Sequence, residues 1–266
     1  MYRRRELQEH LRNLGVQPDD ILLVHSSMKA IGEVEGGADT VLDVLMDYLG
    51  NDGLLVLPTH TWDKINQPGY VYDPDATESC VGILTELFRK RLGVYRSLHP
   101  SHSVAAFGKN AEEFVSGEEN SHSPCARSGC WGKLYDRKAK VLFLGCPLTK
   151  NTFLHGVEEW NEVPDRLTEE EVPFSVRLPD GAVKTVWVRK HHNSSYPDIS
   201  KFYGKMKPAF LAKGIAKEGR FGDAECVLAD AVGMADLTSE YLKKNPDLFL
   251  GDAPVPEEWY LDAVSR

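Results

Sequence analysis

The chain has 266 residues, of which 42% are hydrophobic and 27% are charged, a composition typical of a globular protein with a buried core. It carries 40 acidic and 31 basic residues, and the net charge of −9 argues against a nucleic-acid partner, because duplex binding usually needs a basic surface. No apolar run approaches the ~20 residues of a membrane span, and no apolar stretch follows the basic start, so we expect neither membrane insertion nor export. Five cysteines without a C-x-x-C pair predict reduced thiols in a cytoplasmic protein.

Short apolar runs alternate with helical patterns over the first half of the chain, after a charged opening helix. Runs of four to six apolar residues are typical of buried strands, and the segments between them have apolar residues at helical spacing. This alternation predicts an α/β fold in which helices cover a mostly parallel sheet. The predicted strands are 21–25, 54–58, 103–107 and 141–145, and the predicted helices are 38–49, 80–92 and 111–116.

The last third of the chain has a different pattern. Residues 172–178 and 183–188 are short and alternating, and the Asp-Gly turn between them predicts an antiparallel hairpin appended to the core. A helix over 199–213, a strand over 226–228 and a helix over 231–244 are expected to follow. Since no repeat or linker divides the chain, residues 1–266 are interpreted as a single domain.

The segment from His25 to Gly37 follows the first predicted strand and leads into a helix. Its serines and glycines allow a ligand to approach the backbone closely, and the helix start offers free N–H groups to a phosphate. The segment matches neither G-x-G-x-x-G nor a Walker A loop. An ordinary strand–helix turn is the alternative interpretation, and Glu33 and Glu35 weigh against an anion site.

A second polar segment, residues 96–103, precedes the third predicted strand. One guanidinium, three hydroxyls and two imidazoles within this segment suit a phosphate or another polar ligand. A solvated loop with a proline turn would have the same composition, so the residues alone leave both interpretations open.

A third segment, residues 151–160, follows the fourth predicted strand. If it is helical, His155 and Glu158 are at i and i+3 on one face, where they can meet. A carboxylate beside an imidazole fixes its tautomer and raises its basicity, as a general base requires. A surface ion pair, or half of a metal site, would show the same spacing.

Together these segments resemble the aminoglycoside 3-N-acetyltransferase family, and the resemblance extends from about residue 7 to residue 244. The matching motifs are V-H-S-S running to V-x-G-G (24–37), G-x-L-V-x-P-T (53–59), R-S-x-H-P-x-x-S-x-x-A-x-G (96–108), S-P (123–124) and N-T-x-L-H-x-x-E (151–158). The departures from the pattern are Gly156-Val157, the loop 61–78 and the segment 191–196.

The resemblance implies a three-layer α/β/α fold with a mostly parallel central mixed sheet and the appended hairpin, distinct from the common acetyltransferase fold. It implies acetyl-CoA as co-substrate and no metal. His155 would be the base, Glu158 its orienting partner, and Thr152 a neighbour of the transfer site. The implied cofactor-binding residues are Ser26, Ser27, Lys29, Gly36, Gly37, Arg96, Ser97, His99 and Ser103.

The implied reaction is direct acetyl transfer to the 3-amino group of a 2-deoxystreptamine aminoglycoside, which confers antibiotic resistance. Because aminoglycosides are polycations, Asp63, Asp73, Glu159 and Glu162 are the expected substrate contacts, and a homodimer is compatible with the sequence. Three alternatives stay open: another amine as acceptor, a CoA-binding protein that sequesters without turnover, and a metal-dependent hydrolase. The ligands of that hydrolase would be His155, Glu158, His191 and His192.

Overall fold

A mixed sheet flanked by helices organises the protein, as a computed structural model of residues 1–261 shows. Residues 262–266 of the predicted domain lie outside the described part. The strands are β1 (Ile21–Ser26), β2 (Leu54–Pro58), β3 (Val71–Tyr72), β4 (Tyr95–Arg96), β5 (Val104–Gly108), β6 (Lys140–Leu144), β7 (Val172–Arg177), β8 (Val183–Val188), β9 (Ala216–Phe221) and β10 (Ala224–Asp230). The α-helices are α1 (Arg4–Asn13), α2 (Gly37–Leu49), α3 (Ile83–Phe88), α4 (Ala111–Val115), α5 (Cys130–Asp136), α6 (Thr152–Trp160), α7 (Lys207–Ala212) and α8 (Ala231–Lys244).

The seven-stranded central sheet has the order β4-β5-β2-β1-β6-β10-β9. Strand β1 pairs in parallel with β2 and β6, whereas the pairings outside this trio are antiparallel. The predicted mixed sheet is therefore confirmed, with its parallel part confined to the three central strands. The predicted hairpin β7–β8 is also confirmed, and it joins β3 in a separate three-stranded sheet.

Alternating side chains on the central strands bury both faces of the sheet. In β1, Leu22 and Val24 pack on one side with α1 and α2, whereas Leu23 packs on the other side with α5 to α8. These three side chains are fully buried, and burial of each contributes about 1.5–3 kcal/mol to folding. Helices on both faces confirm the predicted three-layer arrangement. Among residues 1–261, no helix has the length and apolar character needed to cross a bilayer.

Several elements differ from the sequence-based expectation, which also did not include β3, β4 and α5. The helix expected at 80–92 is reduced to α3, which begins only after Gly82, a residue with φ of 117°. The helix expected at 199–213 is a 3-10 helix (Ser200–Met206) followed by the separate helix α7. Pro208 lies in the first turn of α7, because proline has no N–H to donate within a helix interior. The edge strand β9 was missed because it is charged and half exposed, as edge strands often are.

The carboxyl ends of β1 and β6 meet at one edge of the sheet, where ligands bind in α/β folds. There the N–H of Ser27 donates to the carbonyl of Leu144 at 2.9 Å. Gly145 follows with φ of 68°, in the left-handed region that favours glycine. A Cβ on Gly145 would lie 2.6 Å from Ala30 Cβ and 3.0 Å from Ala224 Cβ. This turn therefore requires glycine at position 145 for two reasons: the positive φ and the lack of room for a Cβ.

Gly145→Ala tests this close approach, with Gly181→Ala as its control. Gly181 also has positive φ (85°), but no atom lies within 4 Å of the position that a Cβ would take there. Both variants should lose about 1 kcal/mol through backbone strain, and Gly145→Ala should lose about 1–3 kcal/mol more through overpacking. Urea denaturation measures both losses. Equal losses would contradict the packing constraint at Gly145.

Candidate active site

A cavity of about 970 Å³ opens beyond the carboxyl ends of β1 and β6. Ser26 and Ser27 line it from β1, the residues after β6 line it from the next strand, and Thr152 and His155 line it from α6. Loop residues around 60–66, 80–85 and 190–200 complete the wall. Its volume is at the upper end of the range for small-molecule and cofactor sites.

Four imidazole rings contact one another in the centre of this wall. His155 stacks on His191 with 4.4 Å between ring centroids, His191 meets His102 edge-on at 4.7 Å, and His102 lies 4.8 Å from His60. Burial lowers the pKa of His60, His102 and His155 well below the ordinary value for histidine. These three rings are consequently neutral at pH 7.

A hydrogen-bond chain fixes the tautomer of His155. The hydroxyl of Tyr203 donates to Glu158 and lies 2.8 Å from Nδ1 of His155. Because this hydroxyl proton is directed at the carboxylate, His155 Nδ1–H donates to the Tyr203 oxygen. The lone pair of His155 therefore resides on Nε2, as a base requires.

Glu158 acts on His155 through Tyr203, which corrects the expected direct pair. Glu158 is 1% exposed and forms an ion pair with Arg166, whose side chain is 4% exposed. Its negative charge is thus balanced by Arg166 and does not raise the basicity of His155. The pKa of His155 is lowered by burial, with further lowering from the positive charge of Arg166, which is opposite to the expected direction.

Thr152 lies where the sequence analysis expected it, beside His155. It is the first residue of α6, one helical turn before His155, and both line the cavity. Its hydroxyl oxygen is 3.1 Å from Nε2 of His60. The structure therefore brings a hydroxyl and a tautomer-fixed imidazole to one wall.

Of the residues expected around the cofactor in the first segment, Ser26 and Ser27 line the cavity, whereas Lys29, Gly36 and Gly37 do not. The stretch preceding α2 is held by the N-terminus instead, since the N–H of Tyr2 donates to the carbonyl of Glu33 at 2.6 Å. The glycines serve the left-handed entry to α2, where Gly36 has φ of 78°. Contact of Lys29, Gly36 and Gly37 with the cofactor stays a prediction of the sequence.

Arg96 also has a different place from the expected phosphate contact. Its guanidinium donates to the carbonyls of Thr59, Pro74 and Thr77 and to the hydroxyl of Thr59. These bonds tie the loop after β3 to Thr59, the residue that follows β2, and Arg96 itself does not line the cavity. A cation whose donors are already bonded inside the protein has few left for a phosphate.

The other three expected residues of the second segment are internal as well. The hydroxyl of Ser97 accepts from the N–H of Val104, and the hydroxyl of Ser103 donates to the carbonyl that follows β2. His99 is fully buried and lies 3.1 Å from the carbonyl of Ser123, and burial lowers its pKa to about 3. They shape the turn before β5, and the same turn brings Ser101 and His102 to the cavity.

Within residues 1–261, none of the four expected substrate carboxylates lines the cavity. Asp63 pairs with Lys64 at 3.0 Å, Asp73 pairs with Arg177 at 3.0 Å, and Glu162 is exposed at the end of α6. The side chain of Glu159 is 4% exposed and is bonded to His191. Their role as substrate contacts stays a prediction, and Asp198 is the one carboxylate on the wall formed by the described residues.

Cys125, Glu159 and His191 have donor atoms within 4.8 Å of one another, a spacing suited to a metal ion. Both oxygens of Glu159 already accept hydrogen bonds, from the N–H of Cys125, the hydroxyl of Ser123 and His191. Burial raises the pKa of the Cys125 thiol well above its ordinary value, which disfavours the thiolate that a metal needs. The chemistry of this set fits a hydrogen-bond network better than a metal site.

The hydrolase ligand set expected from the sequence is not assembled. Glu158 is occupied by Arg166 and Tyr203, and His192 pairs with Asp165 at 3.3 Å. Only His155 and His191 of that set are in contact.

Comparison with known proteins accounts for this arrangement. The family model described as aminoglycoside 3-N-acetyltransferase matches residues 23–243. The chain belongs to this family. It is 31% identical to aminoglycoside N(3)-acetyltransferase III of Salmonella sp, over 92% of this chain and 93% of that protein.

Solved structures of acetyltransferases share the fold. One, described as AAC-IIIb binary with CoASH, has a TM-score of 0.80 and 24% identity and covers 96% of this chain and 99% of its own. Another is aminoglycoside acetyltransferase AAC(3)-IVa, a histidine-to-alanine variant in complex with a gentamicin. It has a TM-score of 0.79 and 27% identity, over 93% of this chain and 91% of its own. The predicted family, fold and enzyme class are confirmed.

Sequence reasoning assigned no acetyl-transfer role to several residues of this candidate site. His60, His102, His191, Arg166 and Tyr203 complete it, and each is remote in sequence from the H-x-x-E motif or lies outside the recognised pattern. The pair His191-His192 was noted as a departure from the family pattern, and this was the available signal. No sequence signal marked Tyr203 or Arg166, because a single tyrosine or arginine forms no motif with a distinctive spacing.

Arg166→Met tests the buried ion pair, with Arg12→Met as its control. Removal of Arg166 leaves Glu158 buried without its counter-charge, which should destabilise the fold by about 3–5 kcal/mol. Arg12 pairs with Glu9 on the surface, where both side chains are more than half exposed, and its loss should cost less than about 1 kcal/mol. Chemical denaturation at pH 7 compares the two, and similar losses would contradict the role of Arg166.

Proposed function

We propose that the protein transfers the acetyl group of acetyl-CoA to the 3-amino group of a 2-deoxystreptamine aminoglycoside by direct attack, which confers antibiotic resistance. The observation that carries this proposal is His155, whose Nδ1 is engaged by Tyr203 so that Nε2 serves as a base inside the cavity. Family membership supports it, as do relatives described with CoASH and with gentamicin.

The proposed chemistry starts with a protonated amine, which cannot attack a thioester. His155 Nε2 takes a proton from the amine, and the nitrogen forms a bond to the acetyl carbon as the carbonyl becomes an oxyanion. When His60 carries its proton on Nε2 and donates to the Thr152 oxygen, the Thr152 hydroxyl proton is free to donate to the oxyanion. One such donor contributes about 3 kcal/mol to transition-state binding. The C–S bond then breaks, its electron pair goes to sulfur, and CoA is released.

The acceptor and the co-substrate are proposed to enter from different parts of the wall. Ser26, Ser27 and Lys150 surround the edge where β1 and β6 end, and they would meet acetyl-CoA there. Asp198 is the carboxylate available to a cationic acceptor on the described wall. A cytoplasmic location and a homodimer stay predictions of the sequence.

CoA release across a panel of gentamicin-type aminoglycosides and unrelated amines tests the proposal. Turnover is expected with aminoglycosides. Turnover with another amine only would show that the protein acetylates a different acceptor, while the family assignment would stand. Binding of CoA without release by the folded protein would overturn the enzyme assignment in favour of a sequestering protein.

Lys150→Ala tests the placement of acetyl-CoA, with Lys29→Ala as its control. Both lysines are exposed, but only Lys150 lines the cavity. Loss of one phosphate-pairing cation should raise KM for acetyl-CoA about 10-fold, equivalent to ~1.4 kcal/mol, with kcat little changed. Lys29→Ala should leave KM unchanged. A larger increase in KM for Lys29→Ala than for Lys150→Ala would instead indicate that acetyl-CoA binds at the start of α2.

His155→Ala and Tyr203→Phe test the base and its orientation. Loss of the base should lower kcat by ~10²–10⁴-fold, and loss of the hydroxyl should lower it less because the imidazole remains. Tyr135→Phe is the matched control, since Tyr135 bonds the carboxylate of Asp236 at 2.9 Å on the surface. CoA binding and melting temperature should be retained by His155→Ala. Near wild-type turnover of that variant would remove the catalytic assignment.

The pH profile of kcat gives an independent check. The neutral form of His155 is the active base, so activity falls as pH drops through its pKa. Because burial lowers that pKa well below the ordinary value, the acid limb should lie well below pH 6.5. An acid limb at or above pH 6.5, measured with both substrates saturating, would contradict the neutral buried imidazole.

A further inference from the structure

A second histidine–carboxylate pair lies beside His155 and has no part in the proposed chemistry. Nε2 of His191 is 2.8 Å from Glu159, whose side chain is 4% exposed, and the His191 side chain is 22% exposed and lines the cavity. Its ring stacks on that of His155 at 4.4 Å. Since Nε2 is bonded to Glu159, Nδ1 is the nitrogen left for a ligand.

The two imidazoles have opposite electrostatic surroundings. His155 bonds a neutral tyrosine hydroxyl and is enclosed by other rings, so its neutral form is favoured. His191 contacts a carboxylate, and a negative charge at that distance stabilises a positive charge on the ring. Paired groups whose environments differ in this way take different roles in acid–base catalysis.

The groups that face His191 come from several elements. Glu159 and His155 come from α6, and His102 comes from the turn before β5. Cys125 lies near it from the loop before α5, as a protonated thiol. Among these, Glu159 is the only anion, so a proton on His191 is balanced locally.

The proposed reaction leaves one proton transfer unassigned. A protonated amine loses two protons on becoming an amide, and the departing thiolate gains one, so one proton is released overall. His155 takes the two nitrogen protons in turn, because it passes the first to solvent before the amine attacks and accepts the second after the attack. Resting on the proposed function, we infer that His191, held by Glu159, is a second catalytic residue that protonates the sulfur of CoA as the C–S bond breaks.

The step balances as follows. The electron pair of the C–S bond goes to sulfur, Nδ1–H of His191 gives its proton to that sulfur, and the carbonyl is restored on the acetamide. His191 becomes neutral and regains a proton from solvent after CoA leaves. Glu159 stabilises the charged ring before the transfer and accepts its Nε2–H throughout.

Donors with different thiol leaving groups test this role. His191→Asn should lower kcat with acetyl-CoA by ~10²-fold, because an alkyl thiolate leaves poorly without a proton. With the acetyl thioester of 4-nitrothiophenol, whose thiolate leaves unassisted, the same variant should lose less than about 3-fold relative to wild type. His155→Ala should lose activity with both donors, since each needs the amine deprotonated.

Control variants separate this role from a structural one. Glu159→Gln keeps an acceptor for the Cys125 N–H. The decrease in kcat of this variant should show the same dependence on the acetyl donor as that of His191→Asn. His122→Asn removes a surface histidine that pairs with Glu171 at 3.0 Å, and it should be unchanged with both donors. Equal losses of His191→Asn with the two donors would overturn the acid role while the proposed function stands. Wild-type protein that releases no thiol with any amine would overturn the proposed function itself.

Discussion

The ion pair between Glu158 and Arg166 is the interaction on which the site depends. A carboxylate with 1% exposure is stable as an anion only with a close counter-charge, and Arg166 supplies it from the loop after α6. Glu158 also accepts a hydrogen bond from the Tyr203 hydroxyl, and this hydrogen bond fixes which nitrogen of His155 carries the proton. A buried charge pair, with little net benefit to stability expected, thus specifies the tautomer of His155, the proposed base.

Helix α6 distributes its polar residues between two tasks. Thr152 and His155, three residues apart, lie on the cavity side. Glu158 and Glu159 are adjacent and therefore point in different directions, one to Tyr203 and Arg166, the other to Ser123 and His191. One short helix consequently carries His155 and holds His191 through Glu159.

The sequence predicted the central strands and the neighbouring Thr152 and His155, because apolar runs and i, i+3 spacing are local signals. It could not predict the Tyr203 contact, which joins positions 48 residues apart through packing of the 3-10 helix on α6. Arg96 shows the opposite error. A cation and hydroxyls in a loop suit a phosphate, but composition cannot reveal that main-chain carbonyls already accept from the guanidinium.

The acidic surface and the cavity wall act at different ranges on a cationic acceptor. A net charge of −9 attracts a polycation from solution, but at physiological salt this field decays over about 8 Å and does not distinguish one amine from another. In the proposed complex a cationic acceptor would meet the neutral imidazoles of His60 and His102 and the carboxylate of Asp198 on the described wall. Selection among amines therefore rests on the fit to these few groups, because a neutral ring accepts a hydrogen bond from an ammonium only when the geometry allows it.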